Sequence, residues 1–283
     1  MSIAHIPTKL ASPFVLVTGG KGGVGKTTVC ANLGVQLASE GKRVLLVDLD
    51  FGLANLGIFL GLSQKATVEE ALAGRARLKD CVLEGPGGVS LLAASSGSEA
   101  MGRLEQADYD RLFGSLVEVS KDYDLVLGDS AAGIGSSVLH FSSLADRVLV
   151  VTTPEVCALT DAYGLIKALD EYGARGGLDI PTPEVIVNLS CGVEKGQAVA
   201  RKLRSVCERF LARSPRQAGW IPRSSGVASS TERRNPFTLG SKKTLEHLCL
   251  RQISARLGRM CASTGPEGAD LGMLLQGSNE HAR

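Results

Sequence analysis

FVLVTGGKGGVGKTT, residues 14–28, sets an unbroken apolar run, a glycine-rich loop and a helix start in direct succession. Residues 14–18 read as a buried strand, and residues 27–40 read as a helix that stops at Gly41. Within the loop, Gly20, Gly25, Lys26 and Thr27 occupy the spacing G-x-x-x-x-G-K-T. That pattern between a strand and a helix is a phosphate cradle rather than a generic turn. Gly20, Gly22, Gly23 and Gly25, with Val24 among them, let the backbone wrap phosphates without Cβ clashes. Helix N-terminal amides and the Lys26 ammonium compensate the negative charge. Thr27 offers its hydroxyl to Mg²⁺, and Thr28 can bond a phosphate oxygen.

Outward from this loop the same grammar repeats. Residues 43–48 form the next apolar strand, and a right-handed crossover through the first helix makes the two strands parallel. Further strand-like runs occur at 89–93, 124–127, 148–152, 185–187 and 218–221. Helical stretches at 106–120, 158–171, 197–212 and 242–260 alternate with them. The expected fold is α/β, a doubly wound, mostly parallel sheet with helices on both faces. The division expected is a loose N-terminus at 1–13, one domain at 14–260 and a flexible tail at 261–283.

Composition agrees with a chain that buries a large core. Of 283 residues 44% are hydrophobic, only 4% are aromatic and 34 are Gly, which favours close backbone packing over aromatic anchors. The seven Cys stand singly, with no C-x-x-C pair, so they read as small buried hydrophobes in a reducing cytosol. No apolar stretch reaches the roughly 20 residues that span a bilayer. The net charge of +2 conceals an asymmetry: residues 201–260 hold 14 Lys/Arg against 3 Asp/Glu. Such a segment suits anionic lipid, nucleic acid or an acidic partner, or else forms a solvated helix face.

Two groups of acids follow the strands that flank the cradle. In VLLVDLD the strand ends on Asp48 and Asp50, which alternation directs toward the phosphate loop. The run LVLGD ends on Asp129, a carboxylate placed to hold a Mg²⁺-bound water.

The loop form KGGVGKT, with Lys21 ahead of Lys26, resembles the deviant Walker A signature of the MinD/ParA (SIMIBI) family. The resemblance implies that Lys21 reaches across an ATP-dependent homodimer to the partner's phosphates, like an arginine finger supplied in trans. DLDFGLANLGIFLGL at 48–62 resembles the family's switch I, which implies that Asp50 orients the attacking water and Asp48 supports Mg²⁺. DSAAGIGSS at 129–137 resembles switch II, with Ala131 departing from the family's usual third residue. Asn188 and Pro222 match the positions that read and pack the adenine, and no guanine signature N/T-K-x-D occurs. ATP is therefore the implied nucleotide.

VLVVTTPEVCALTDAYGLIKAL and RRNPF resemble the flagellar-number branch, FlhG/FleN, more than MinD itself. That branch implies an ATPase switch regulating flagellar number or placement, partnered by a flagellar GTPase or a transcription regulator. MSIAHIPTKLASP does not resemble the branch's GTPase-stimulating segment. The family often ends in a short amphipathic membrane helix, whereas GADLGMLLQGSNEHAR has only a brief apolar cluster, so at most a weak peripheral contact at the inner face of the cell membrane is expected. Two other readings remain: a ParA-like DNA-partition ATPase using the basic segment, and an iron–sulfur carrier, for which Cys157 lacks a companion.

Overall fold

The computed structural model describes residues 9–63, 66–94 and 104–262. The first apolar run becomes β1 (Phe14–Gly19) and the second β2 (Val44–Leu49), joined by α1 (Lys26–Ser39). Both strands are buried along their whole length, which explains runs that are apolar rather than alternating. Each strand still divides its side chains by parity. Phe14 and Leu16 enter one core layer, while Val15 and Val17 enter the other.

The chain continues through α2 (Leu56–Phe59), α3 (Val68–Leu72), β3 (Val82–Glu84), β4 (Ser90–Leu92), α4 (Gln106–Ser120) and β5 (Leu125–Ala132). It closes with α5 (Ser136–Leu144), β6 (Arg147–Thr152), α6 (Val156–Gly176), β7 (Glu184–Ser190), α7 (Val193–Leu211), β8 (Arg216–Pro222), α8 (Ser225–Glu232) and α9 (Leu245–Ala262). The eight strands run in the order β3-β4-β2-β5-β1-β6-β7-β8. All pairings are parallel except β3 with β4. The layer containing α4, α5, α6 and α7 covers one face, and α1 with α9 covers the other.

This is the doubly wound sheet that the alternation of runs implies. Five short elements were not legible there: α2, α3, β3, α5 and α8. The antiparallel β3 spans three residues, too few for a periodic signal. The α5 sequence SSVLHFSSL carries no charge or strong helix-former pattern, and tertiary packing of Val138 and Phe141 holds it.

Two details bear on the expected helix at 242–260 and on the cysteines. In α9 the stripe facing the core is Cys249, Leu250, Ile253 and Leu257, whereas Leu245 and Leu248 are exposed. Cys30, Cys81, Cys207 and Cys249 are buried, but Cys157 and Cys191 are exposed. Residues 9–12 are tied to the body through a Lys9–Asp146 ion pair at 2.9 Å and hydrogen bonds to Ser120. The tail beyond 262 lies outside the described residues. Among the described residues, no helix is long and apolar enough to cross a membrane.

Candidate nucleotide site

Since β1, β2, β5, β6 and β7 are parallel, their carboxyl ends share one edge of the sheet, and β1 lies between β5 and β6 where the crossovers diverge. That is the switch point at which open α/β sheets bind ligands. The loop after β1 sits there and leads into α1, whose cap Gly25 is left-handed at φ 92°. Gly25 also passes so close to Asn188 that a Cβ would lie 2.3 Å from its Nδ2, so only glycine fits. Asn188 Nδ2 donates to the Val24 carbonyl at 2.9 Å, which fixes β7 against the loop.

A cleft of about 610 Å³ opens at this edge, lined on one side by Gly22, Gly23, Gly25, Lys26, Thr27 and Thr28. Asp50, Leu53, Asn55, Ala132 and Asn188 line it further. Lys26 is almost wholly buried, and burial lowers its ammonium below the ordinary lysine range against the pull of Asp129 and Asp50. A buried cation in a concave, glycine-walled site is poised to be paired by an anion.

The carboxylates divide in place and function. Asp48 and Asp129 are paired neighbours across β2 and β5, each about 1% exposed. Burial holds the Asp129 carboxyl well above the usual range, and Asp48 beside it adds to the shift; a hydrogen bond with Thr27 opposes both. Burial likewise pushes Asp48 up to about 7. Asp48 accepts the backbone N–H of Asp50 at 3.1 Å and of Leu56 at 2.9 Å, so both its oxygens brace the loop after β2. It does not line the cleft, and neither does Asp129. Asp50 does, with its Oδ1 accepting the Leu53 N–H at 3.1 Å.

Among the buried polar atoms without a partner in the described residues, two acceptors belong to this site: Asp129 Oδ1 and Asn188 Oδ1. Each costs free energy unless a ligand or water satisfies it. An orphan acceptor beside the Thr27 hydroxyl fits a hydrated divalent cation held by nucleotide phosphates, and an orphan amide oxygen at the cleft's other end fits an exocyclic amino group. Among the described residues no cluster of His, Cys, Asp or Glu could hold a metal by itself.

Pro222 is buried at the end of β8 and is not among the residues lining the cleft; Arg223, Ser224 and the α8 residues Val227, Ala228 and Thr231 are. Ser224 was the available signal, since its side chain caps α8 by accepting from Val227 N at 3.1 Å. Leu189, at φ 52°, adds a strained left-handed residue to that same end. Lys21 is not among the residues lining its own cleft and pairs with Glu155 at 3.1 Å, with 38% of its side chain exposed.

Gly20 meets a different constraint. A Cβ there would fall 2.0 Å from the carbonyl oxygen of Asp161 on α6, so at this point the loop meets α6 backbone to backbone. Gly20→Ala is expected to cost on the order of 3 kcal/mol in urea unfolding, whereas Gly22→Ala, with nothing within 4 Å of its added Cβ, leaves stability nearly unchanged.

The AAA domain family matches residues 14–176. The antiactivator FleN of Pseudomonas aeruginosa is 34% identical over 255 residues, covering 90% of this chain and 89% of that one. A septum site-determining protein MinD of Guillardia theta is 35% identical over 250 residues, covering 86% and 87%. Among solved structures, the MinC:MinD complex of Aquifex aeolicus contains a chain matching with a TM-score of 0.70 at 29% identity, over 88% of this chain and 96% of that one. The loop with its two lysines, the paired aspartates behind it and these likenesses over most of the chain agree, and the chain belongs to the MinD/ParA family of P-loop ATPases, beside its flagellar FlhG/FleN members.

Proposed function

We propose that this chain is an ATP-hydrolysing, Mg²⁺-requiring switch that dimerises in its ATP state and regulates flagellar number or placement. The carrying observation is Lys21, which lies outside its own cleft on the same edge as three exposed apolar side chains, Leu53, Ile134 and Val156. These follow β2, β5 and β6, the strands nearest β1, and a second copy facing this edge would cover them. Thr27 and Asp129 would hold Mg²⁺, which supplies charge neutralisation on the phosphates. Lys26 serves its own nucleotide, Asp50 orients water, Asn188 meets the base, and Lys21 serves the partner's site. Kinship with FleN supports the flagellar role.

Size-exclusion chromatography with light scattering tests the switch. A monomer in ADP and a dimer in ATP with Mg²⁺ are expected; a monomer in both overturns it. Counting flagella in a deletion strain tests the cellular role, and an unchanged number removes it. Since the α9 apolar stripe is occupied by the core, only weak sedimentation with anionic liposomes is expected from the described residues.

A second reading, DNA partition, has one observation in its favour. At the amino-terminal ends of β6, β7 and β8, opposite the cleft, Arg147, Arg204, Arg216, Arg256 and Arg259 line two adjoining hollows with a single acid, Glu184. Guanidinium forks suit phosphate, and no aromatic side chain there offers base stacking. Salt-sensitive binding of duplex DNA, confined to the ATP form and lost in Arg216→Ala with Arg259→Ala, would favour partition over the flagellar reading.

A further inference from the structure

Asp50 owes its place to the residue after it. Phe51 is 5% exposed and stacks on Tyr109 of α4, with centroids 5.9 Å apart and planes 18° apart. It also meets Phe141 of α5 at 6.1 Å and 52°. Tyr109 and Phe141 close the cluster edge to face at 5.6 Å, and His140 packs against both at 5.9 and 5.4 Å. Phe51 is the cluster's contribution from the loop after β2. Tyr109, His140 and Phe141 stand outside the residues lining the cleft.

Phe51 continues the parity of Leu45, Val47 and Leu49 into one core layer, so Asp50 falls on the other side, where it lines the cleft with Lys26 and Thr27. From the polar side Asp48 braces the same loop through the Asp50 and Leu56 amides. The loop is thereby pinned at both ends of a short span, and its aromatic pin is held from α4 and α5. α5 begins just after the 133–135 turn that follows the Asp129 strand, so one cluster backs both carboxylate-bearing segments.

We propose that Phe51 and Tyr109 are positioning residues for ATP hydrolysis, fixing the Asp50 carboxylate in the cleft through ring packing that never touches the nucleotide. The proposal rests on the reading of Asp50 as the water-orienting acid. A displacement near 1 Å of such a group is enough to cost a large factor in rate while leaving phosphate and base contacts in place.

Steady-state phosphate release and ATP affinity are measured for Tyr109→Ala, Tyr109→Leu, Tyr109→Phe and Phe51→Leu, each normalised to the folded fraction by near-UV circular dichroism. Tyr109→Ala is expected to lower kcat about tenfold with the Kd for ATP within about twofold of the parent. Tyr109→Leu and Phe51→Leu, which keep apolar bulk and lose the stack, are expected to fall about threefold, and Tyr109→Phe, which keeps the ring, to retain turnover. Should Tyr109→Ala fail to fold, the two Leu variants decide. An unchanged kcat in both Leu variants, or an equal loss of kcat and ATP affinity, overturns the proposal. Asp50→Ala separates the two readings: if it leaves turnover intact the role of Asp50 fails, whereas if it alone lowers turnover only the positioning role fails.

Discussion

Asp50→Ala is expected to lower ATP turnover about a hundredfold or more while sparing ATP affinity, and so to accumulate an ATP dimer. Asp50 lines the cleft, and the one hydrogen bond of its carboxylate among the described residues is from the nearby Leu53 amide. Its carboxylate therefore faces the space where water and phosphate would meet, and is not a brace for the sheet. An interaction strengthened only in the transition state raises kcat without tightening ground-state binding. Asp129→Ala should behave differently, because Asp129 is buried against Thr27 and Lys26, and its loss weakens the ATP-induced state together with hydrolysis. Light scattering in ATP and Mg²⁺, paired with phosphate release, distinguishes them. A variant at Asp50 that hydrolyses at the parental rate, or that stays monomeric in ATP, removes the assignment.

The second large effect concerns the two lysines of the loop. Lys26→Ala removes a buried cation from the wall of its own cleft, and a lost partner of this kind costs about 3 kcal/mol, roughly a hundredfold in nucleotide Kd. Lys21 lies outside that wall and holds an exposed ion pair with Glu155, a contact worth little in water. Lys21→Ala should thus keep ADP affinity yet lose ATP-driven dimerisation and turnover. Titration calorimetry with ADP, set beside light scattering with ATP, separates the two. Equal loss of ADP affinity in both variants would sink the role of Lys21 across the subunit interface.

Most of the sheet could be read because its strands are buried on both sides and so appear as unbroken apolar runs, as at 14–17 and 44–47. The phosphate loop was legible for a related reason: its chemistry is carried by backbone amides, and the glycines needed for their approach leave a fixed spacing. What escaped depends on contacts distant in sequence. Asp48 and Asp50 look alike in D-x-D, yet burial and the Leu56 amide turn one into a brace, while the other faces the cleft. Pro222 ends β8 buried, and Arg223, the next residue, is among those lining the cleft. Phe51 gave no sign of its ring partners, since Tyr109 and Phe141 are 58 and 90 positions away.

The backbone contact between Gly20 and Asp161 gives α6 a mechanical meaning. At 21 residues the helix is about 30 Å long, and its first turns press on the phosphate loop with no side chain between them to absorb a shift. A side chain at residue 20 would have to push the helix aside, so this position of the loop is held to glycine by α6 as much as by any phosphate.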